Sequence, residues 1–465
     1  MKRFKIILND KVFLKKTLAI TIPIVLQNLL NNLVNLVDTL MIGKLGETSI
    51  AAVGLANKLF FVFSLLMFGV SSGSSILAAQ YWGKGELLSI KRVLRISLLF
   101  GVGGSLIFAI PGFLFPETIM GIFTHLPQTI SEGAKYLIII VFSYPLTAIT
   151  MCYVSILRSM NYVRLPVIIT SISILVNVFF NYAMIYGNFG FPKMGVVGAA
   201  LATLIARIVE CASLLLLVYT HKAGDGKLGD FIHLKYDKVK EGGAAFINKL
   251  FMSKYLSTAA PVIANEFMWG LGVTMYSLVY GRMGDAATAA ITITNTVEQV
   301  ALVFFFGLCH ASSVMLGNEL GSDRLDKAEE YAKNFIAIMF VLSIVGAIIV
   351  FFIKNPVVSL FDVSDEVLEY VKLCITVFAL YMPVRLLNTL FIVAILRSGG
   401  DTKAALFLDI TSVWFIGIPM AVLGGLVLKL PIYTVYAMIL IEEIYKLVLS
   451  YIRYRQKKWL RNIVA

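Results

Sequence analysis

The stretch Gly43-Lys-Leu-Gly46 returns as Gly281-Arg-Met-Gly284 after 238 positions, and the two halves of the chain stay in step around it. Pro23 falls on Pro261, Ala51 and Ala52 on Ala289 and Ala290, and Gly69 on Gly307. Ser74 and Ser75 meet Ser312 and Ser313, and Gly83 meets Gly321. One residue further out of step, Ile-Leu-Arg-Ser at 156–159 matches the same four residues at 395–398. Both copies are intensely apolar. The reading is therefore two homologous membrane-spanning halves, an organisation in which transporters hold their substrate between or within the halves, near the bilayer midplane.

Composition sets the class. The 465 residues are 59% hydrophobic and 14% charged, against about 25% charged in a soluble domain. Apolar stretches long enough to cross ~30 Å of hydrocarbon as a helix recur throughout. They predict an all-α integral membrane protein with twelve transmembrane helices in two parallel-repeat six-helix lobes. The expected spans are 17–42, 51–81, 93–116, 134–158, 165–186 and 195–219, then 255–281, 286–317, 332–353, 368–396, 404–428 and 431–452. A barrel would alternate polar and apolar residues, and continuous runs such as 335–353 do not.

The domain expectation follows: an N-lobe over 1–219, a basic cytoplasmic linker over 220–254, and a C-lobe over 255–465 that ends in a basic tail. The apolar stretch behind the basic N-terminus carries a polar stripe and no small-residue cleavage site, so it reads as a span rather than a cleaved signal. With twelve spans the termini share one side. That side and its loops hold 29 Lys and Arg, the opposite loops seven. The positive-inside rule puts both termini in the cytoplasm. The net charge of +13 is thus a topology signal and excludes a nucleic-acid reading. The Gly-Asp-Gly-Lys-Leu-Gly start of the linker marks a loop, and its later part, with Lys235, Lys238, Lys240 and Lys249, suits a short helix on the inner leaflet.

Several chemistries drop out. Cys152, Cys211, Cys309 and Cys374 lie far apart without CxxC spacing and read as reduced packing residues. His125, His221, His233 and His310 show no ligand spacing, and no phosphate-cradling GxxxxGK[ST] loop exists. No nucleophile–base cluster marks an enzyme. What remains is an ion-driven carrier or an equilibrative one, needing no cofactor beyond H+ or Na+.

Polar groups inside spans are costly enough to be presumed functional or paired. The first helix carries Gln27, Asn28, Asn31, Asn32, Asn35 and Asp38, which at 100° per residue share an arc of about 140°. So continuous a stripe reads as a cavity lining, with Asp38 its only charge. Asn177 and Asn181, four apart on the fifth helix, can face it, and Pro23 supplies a kink below. In the second half Tyr276 stands where Asp38 would and Glu266 where Asn28 would. Asn295 and Glu298 lie at similar depth on the next helix, making Glu266 with Glu298 a candidate proton or Na+ site. Asp409 is a further candidate on the eleventh helix. Arg207 with Glu210, and Lys446 with Glu442 or Glu443, read as structural pairs at helical spacing. Arg158 and Arg397, at equivalent repeat positions, suit helix C-termini.

The chain resembles the multidrug and toxic compound extrusion (MATE) transporters over essentially its whole length. The residues that carry the likeness are Val-Asp-Thr-Leu-Met-Ile-Gly-Lys-Leu-Gly at 37–46, Gln-Tyr-Trp-Gly at 80–83, Ile-Leu-Arg-Ser at 156–159, Asn-Val-Phe-Phe-Asn-Tyr at 177–182 and the segment 198–210. The resemblance implies antiport, with an organic cation or amphipathic compound leaving as H+ or Na+ enters. Asp38 matches the family's first-helix aspartate, and Glu266 the seventh-helix glutamate of its sodium-coupled branch. That branch also uses a tenth-helix acid, whereas Tyr381–Asn388 has none here, leaving Glu298 or Asp409 as substitutes. The expected partners are the bilayer and small organic cations, for a plasma-membrane monomer. A lipid-linked precursor flippase of a related two-lobed family is the alternative. It calls for basic residues in a cavity that here reads as acidic and amide-lined.

Overall fold

Apolar runs that lack water must close their backbone hydrogen bonds within the segment, and here they do so as helices. The computed structural model describes residue 7 and residues 10–220, 222–223, 226–227, 249–359, 361 and 363–465. The first repeat comprises α1 (Lys11–Gly43), α2 (Glu47–Lys84), α3 (Leu87–Leu114), the short α4 (Pro116–Phe123), α5 (Pro127–Ile140), α6 (Ser143–Ser159), α7 (Arg164–Tyr186) and α8 (Val196–Thr220). A two-residue ladder, Lys222–Ala223 against Gly226–Lys227, follows. The second repeat comprises α9 (Lys249–Met283), α10 (Asp285–Gly321), α11 (Leu325–Val358), α12 (Asp365–Thr389), α13 (Thr402–Ser412), α14 (Ile418–Val422), α15 (Ile432–Ile439) and α16 (Ile441–Arg455). The linker helix expected around Lys235–Lys240 lies outside the described residues.

Ten described helical stretches, with Asp365–Leu396 and Thr402–Val427 each taken as continuous through their π-helical turns, are long and apolar enough to cross a membrane, and α5 with α6 makes an eleventh span bent by 48°. The expected straight span 134–158 is thus corrected to a bent pair starting at Pro127. The break at Val141–Phe142 lies just before Pro145, whose missing N–H cannot bond the carbonyl four residues back. The stretch 431–452 is helical in two pieces, α15 and α16, parted at Leu440. Three π-helical turns, Leu390–Leu396, Val413–Gly417 and Leu423–Val427, interrupt the helices on either side of α13 and α14. Such bulges recur at functional sites.

Packing divides the chain into a first unit, Leu26–Ile263, and a second unit, Met1–Val25 with Ala264–Ala465. The boundaries fall inside α1 and α9, two residues after Pro23 and Pro261, so the N-terminal part of each repeat's first helix packs with the other repeat. Glycine permits the close approach. In the first unit a Cβ at Gly69 would stand 2.6 Å from the Ile263 Cα, and one at Gly73 2.7 Å from the Ala259 Cα. In the second unit Gly307, the repeat partner of Gly69, lies in the same way against Val25 and Thr21. Gly46 and Gly284 precede α2 and α10 with φ of +115° in both repeats, a conformation that favours glycine. All four cysteines are buried and free, as packing residues should be.

The second unit is closed by the chain segment after α16. Trp459 is 0% exposed and stacks on Tyr454 with ring centroids 5.8 Å apart. Arg461 donates to the carbonyls of Gly399 at 3.0 Å and Gly400 at 2.9 Å, and Arg453 grips Asp401 through two bonds of 2.6 and 2.8 Å. A side chain at Gly399 would collide with the Trp459 carbonyl. Truncating a buried aromatic costs about 3–5 kcal/mol. Trp459→Ala is therefore expected to lower the unfolding temperature of the detergent-purified protein, read by tryptophan-independent scattering or calorimetry. An unchanged transition would mean that the segment does not hold the unit together.

Candidate functional site

In the first unit the amide stripe of α1 meets α7. Asn181 Nδ2 donates to Asp38 Oδ1 at 2.5 Å and to Asn177 Oδ1 at 3.1 Å. Asn177 in turn donates toward Thr203 of α8 at 3.4 Å. The four-residue spacing of Asn177 and Asn181 puts both on one face of α7. Asn181 is 1% exposed, and its Oδ1 has no partner. Among the described residues no Lys or Arg nitrogen lies within 4.0 Å of Asp38. Its bonded partner is a neutral amide. Asn28 is half-buried, while Asn31 and Asn35 are exposed.

A second polar chain runs through the same unit. Arg158 Nη2 donates to Gln27 Oε1 at 2.6 Å, and Gln27 Nε2 donates to Thr170 at 2.8 Å. Thr170 reaches Glu210 at 3.3 Å, and Glu210 is held by Arg207 at 2.6 Å. The i,i+3 pair read from the sequence is present.

The second unit is built differently, because each of its candidate acids has a basic partner. Glu266 receives Arg397 at 2.9 Å. Glu298 receives Arg385 at 2.5 Å and a short bond from the Tyr436 hydroxyl. Asp409 lies 3.3 Å from Lys446 and accepts from Asn265 Nδ2 at 2.8 Å. Lys446 is also 3.9 Å from Glu443, so its intrahelical partner is the more distant one. Asn388 donates to both the backbone oxygen and the carboxylate of Glu443 at 2.7 Å. Tyr276 donates to Glu442 at 2.6 Å, next to the π-helical turn that ends at Gly417. Asn295 is exposed.

The structure brings Asp38 together with Asn181 and Asn177, and Gln27 with Arg158. Glu266, Glu298 and Asp409 each go to a different cation. No group of three or more His, Cys, Asp or Glu side chains converges as a metal site among the described residues. The sequence reading missed Arg397, Arg385 and Lys446 as counter-charges to the candidate acids. It also missed the Tyr276–Glu442 bond. The partners of these pairs are dozens of residues apart or more, and the one available signal was the rarity of basic residues inside spans.

The chain has relatives in sequence and in fold. The family model MatE matches residues 23–183 and 261–423, once in each repeat. A probable multidrug resistance protein NorM of Thermotoga maritima is 23% identical over 453 residues, covering 97% of this chain and 94% of its own. An uncharacterized transporter of Bacillus subtilis, YisQ, is 23% identical over 462 residues, covering 98% and 97%. The MATE transporter VcmN of Vibrio cholerae in its bent form superposes with a TM-score of 0.84 at 17% identity, over 96% of this chain and 97% of that one. A MOP superfamily transporter from Pyrococcus furiosus gives 0.80 at 18%, over 96% and 95%. The likeness to these structures is one of fold.

Proposed function

Since this chain belongs to the MatE family, a family of multi-pass membrane transporters, we propose that it exports organic cations or amphipathic drugs in exchange for H+ or Na+, with Asp38 as the seat of the exchanged ion. The carrying observation is a contrast of partners. Of the four acids singled out inside spans, Glu266, Glu298 and Asp409 each have an arginine or lysine within reach, and Asp38 has a neutral amide. An entering cation at Asp38 has no positive group to displace, only an amide to compete with. At Glu266 or Glu298 a Na+ would first have to displace a guanidinium. The exposed amides of Asn31 and Asn35, with half-buried Asn28, fit the lining of the substrate path beside that carboxylate.

The reading carries a topology and a mode of action. Both termini are taken as cytoplasmic, in the plasma membrane, from the distribution of Lys and Arg. The two repeats open the path to each side in turn. One negative charge in low dielectric cannot satisfy a drug cation and a coupling ion together, so the arrival of one releases the other. The name of the NorM relative, a probable multidrug resistance protein, supports a drug-like substrate.

The test is transport by the purified protein in proteoliposomes loaded with a fluorescent organic cation, under imposed pH and Na+ gradients applied separately. One gradient is expected to accelerate export and the other to leave it near the ungraded rate. Export indifferent to both gradients would overturn the antiport reading.

A further inference from the structure

We infer that the first repeat carries a binding site for a small oxyanion, a carboxylate or a phosphate, at Arg158. This arginine lies in the last turn of α6, and its one side-chain bond among the described residues is to a neutral amide, Gln27, at 2.6 Å. Its Nε is buried without a partner. No carboxylate among the described residues lies within the 4.0 Å of an ion pair. Glu210, the acid at the far end of the Gln27–Thr170 chain, already holds Arg207 at 2.6 Å.

The repeat shows what such an arginine takes when it is complete. Arg397 occupies the equivalent position in the second half, and the residue 131 positions before it is Glu266; the residue 131 positions before Arg158 is Gln27. The two geometries are alike, with Nη1 of Arg397 donating to the Glu266 carboxylate at 2.9 Å. The second repeat therefore brings its own oxyanion, and in its place the first repeat has the uncharged Gln27, one residue away from the Asn28 that the 238-residue register sets against Glu266. A guanidinium in apolar surroundings without an anion is costly, and its planar fork matches carboxylate and phosphate oxygens. The helix C-terminus beneath it offers about half a negative charge, short of a full counter-ion. The Arg158 side chain is half-buried rather than sealed, so a ligand can approach it. Gln27 has both ends of its amide engaged, which leaves Arg158 as the anchor of the site.

The experiment is thermal unfolding of the full chain in a phosphate-free maltoside detergent, with chloride replaced by inorganic phosphate or by acetate at fixed ionic strength. Phosphate stabilises proteins generally by exclusion, so the readout is the difference between variants. Wild type is expected to gain several degrees from each oxyanion. Gln27→Glu, which copies the second repeat, is expected to start at or above the wild-type temperature in chloride and to lose that gain. Arg158→Gln should lose the gain as well. The reciprocal change, Glu266→Gln, should acquire an oxyanion response in the second repeat. Repeating the series in lipid nanodiscs separates the sources. If wild type becomes insensitive there while the detergent result stands, a headgroup phosphate fills the site; if it still responds, a soluble anion does. Equal responses of wild type, Gln27→Glu and Arg158→Gln, or a Gln27→Glu variant less stable than wild type under every condition, would overturn the assignment and leave the helix terminus as the counter-charge.

Discussion

Asp38→Asn is expected to abolish ion-driven export while the amount of protein and its unfolding temperature stay near wild type. The side chain keeps its shape, and its amide oxygen can still accept from Asn181 Nδ2, which also keeps its bond to Asn177. What disappears is the one charge on the α1 stripe. Removing an interaction that the ion needs on every cycle lowers turnover rather than folding, and a loss of about 100-fold is expected where a single charge anchors the ion. Passive exchange of the fluorescent cation without a gradient should fall less. Substrate binding provides the second readout. In wild type, affinity for an organic cation weakens as H+ or Na+ rises, whichever ion is coupled, because the two compete for one carboxylate. In Asp38→Asn that dependence should vanish. A variant that still exports under a gradient at the wild-type rate would move the coupling ion elsewhere, to the acids of the second unit.

Much of this arrangement is legible in the sequence because it follows from short-range rules. Span positions come from runs of apolar residues. The duplication comes from register. The meeting of Asp38 with Asn177 and Asn181 follows from two helical stripes facing one another. The α5–α6 bend at Val141–Phe142 is readable only in retrospect from Pro145, since Pro23 and Pro261 sit inside continuous helices and proline alone does not say which helix breaks. The pairings of the second unit are not legible. Glu298 and Arg385 are 87 positions apart, and Glu266 and Arg397 are 131 apart. Helical periodicity says which face a residue occupies but not which neighbour that face meets. The burial of Trp459 hides for the opposite reason: a basic segment rich in Lys and Arg reads as solvated, although its one tryptophan is fully buried.

Arg397→Met is expected to cost the second unit about 3 kcal/mol, by stranding the Glu266 carboxylate among apolar neighbours. The pair is well buried, with the arginine side chain 5% exposed and the glutamate 20%, which places the loss at the lower end of the range for broken buried ion pairs. The expected readouts are a lower unfolding temperature and a smaller yield of folded protein from the membrane. The double variant Arg397→Met with Glu266→Gln removes both charges and should recover most of that stability, since the desolvation of two ions roughly offsets their attraction. The coupling energy in a double-mutant cycle is then large and favourable, although the pair adds little net stability. Transport in the double variant decides what the pair is for. If Glu266 only neutralises Arg397, gradient-driven export returns with stability, and coupling stays with Asp38. Should stability return while export remains lost, the Glu266 carboxylate takes part in the cycle itself, exchanging Arg397 for a transported cation. The same cycle on Glu298 and Arg385, joined at 2.5 Å, gives an internal control. If the two pairs behave alike, the charges of the second unit act as a framework for the repeat; if only Glu266 is required, its 20% exposure, absent at Glu298, marks the carboxylate that the path can reach.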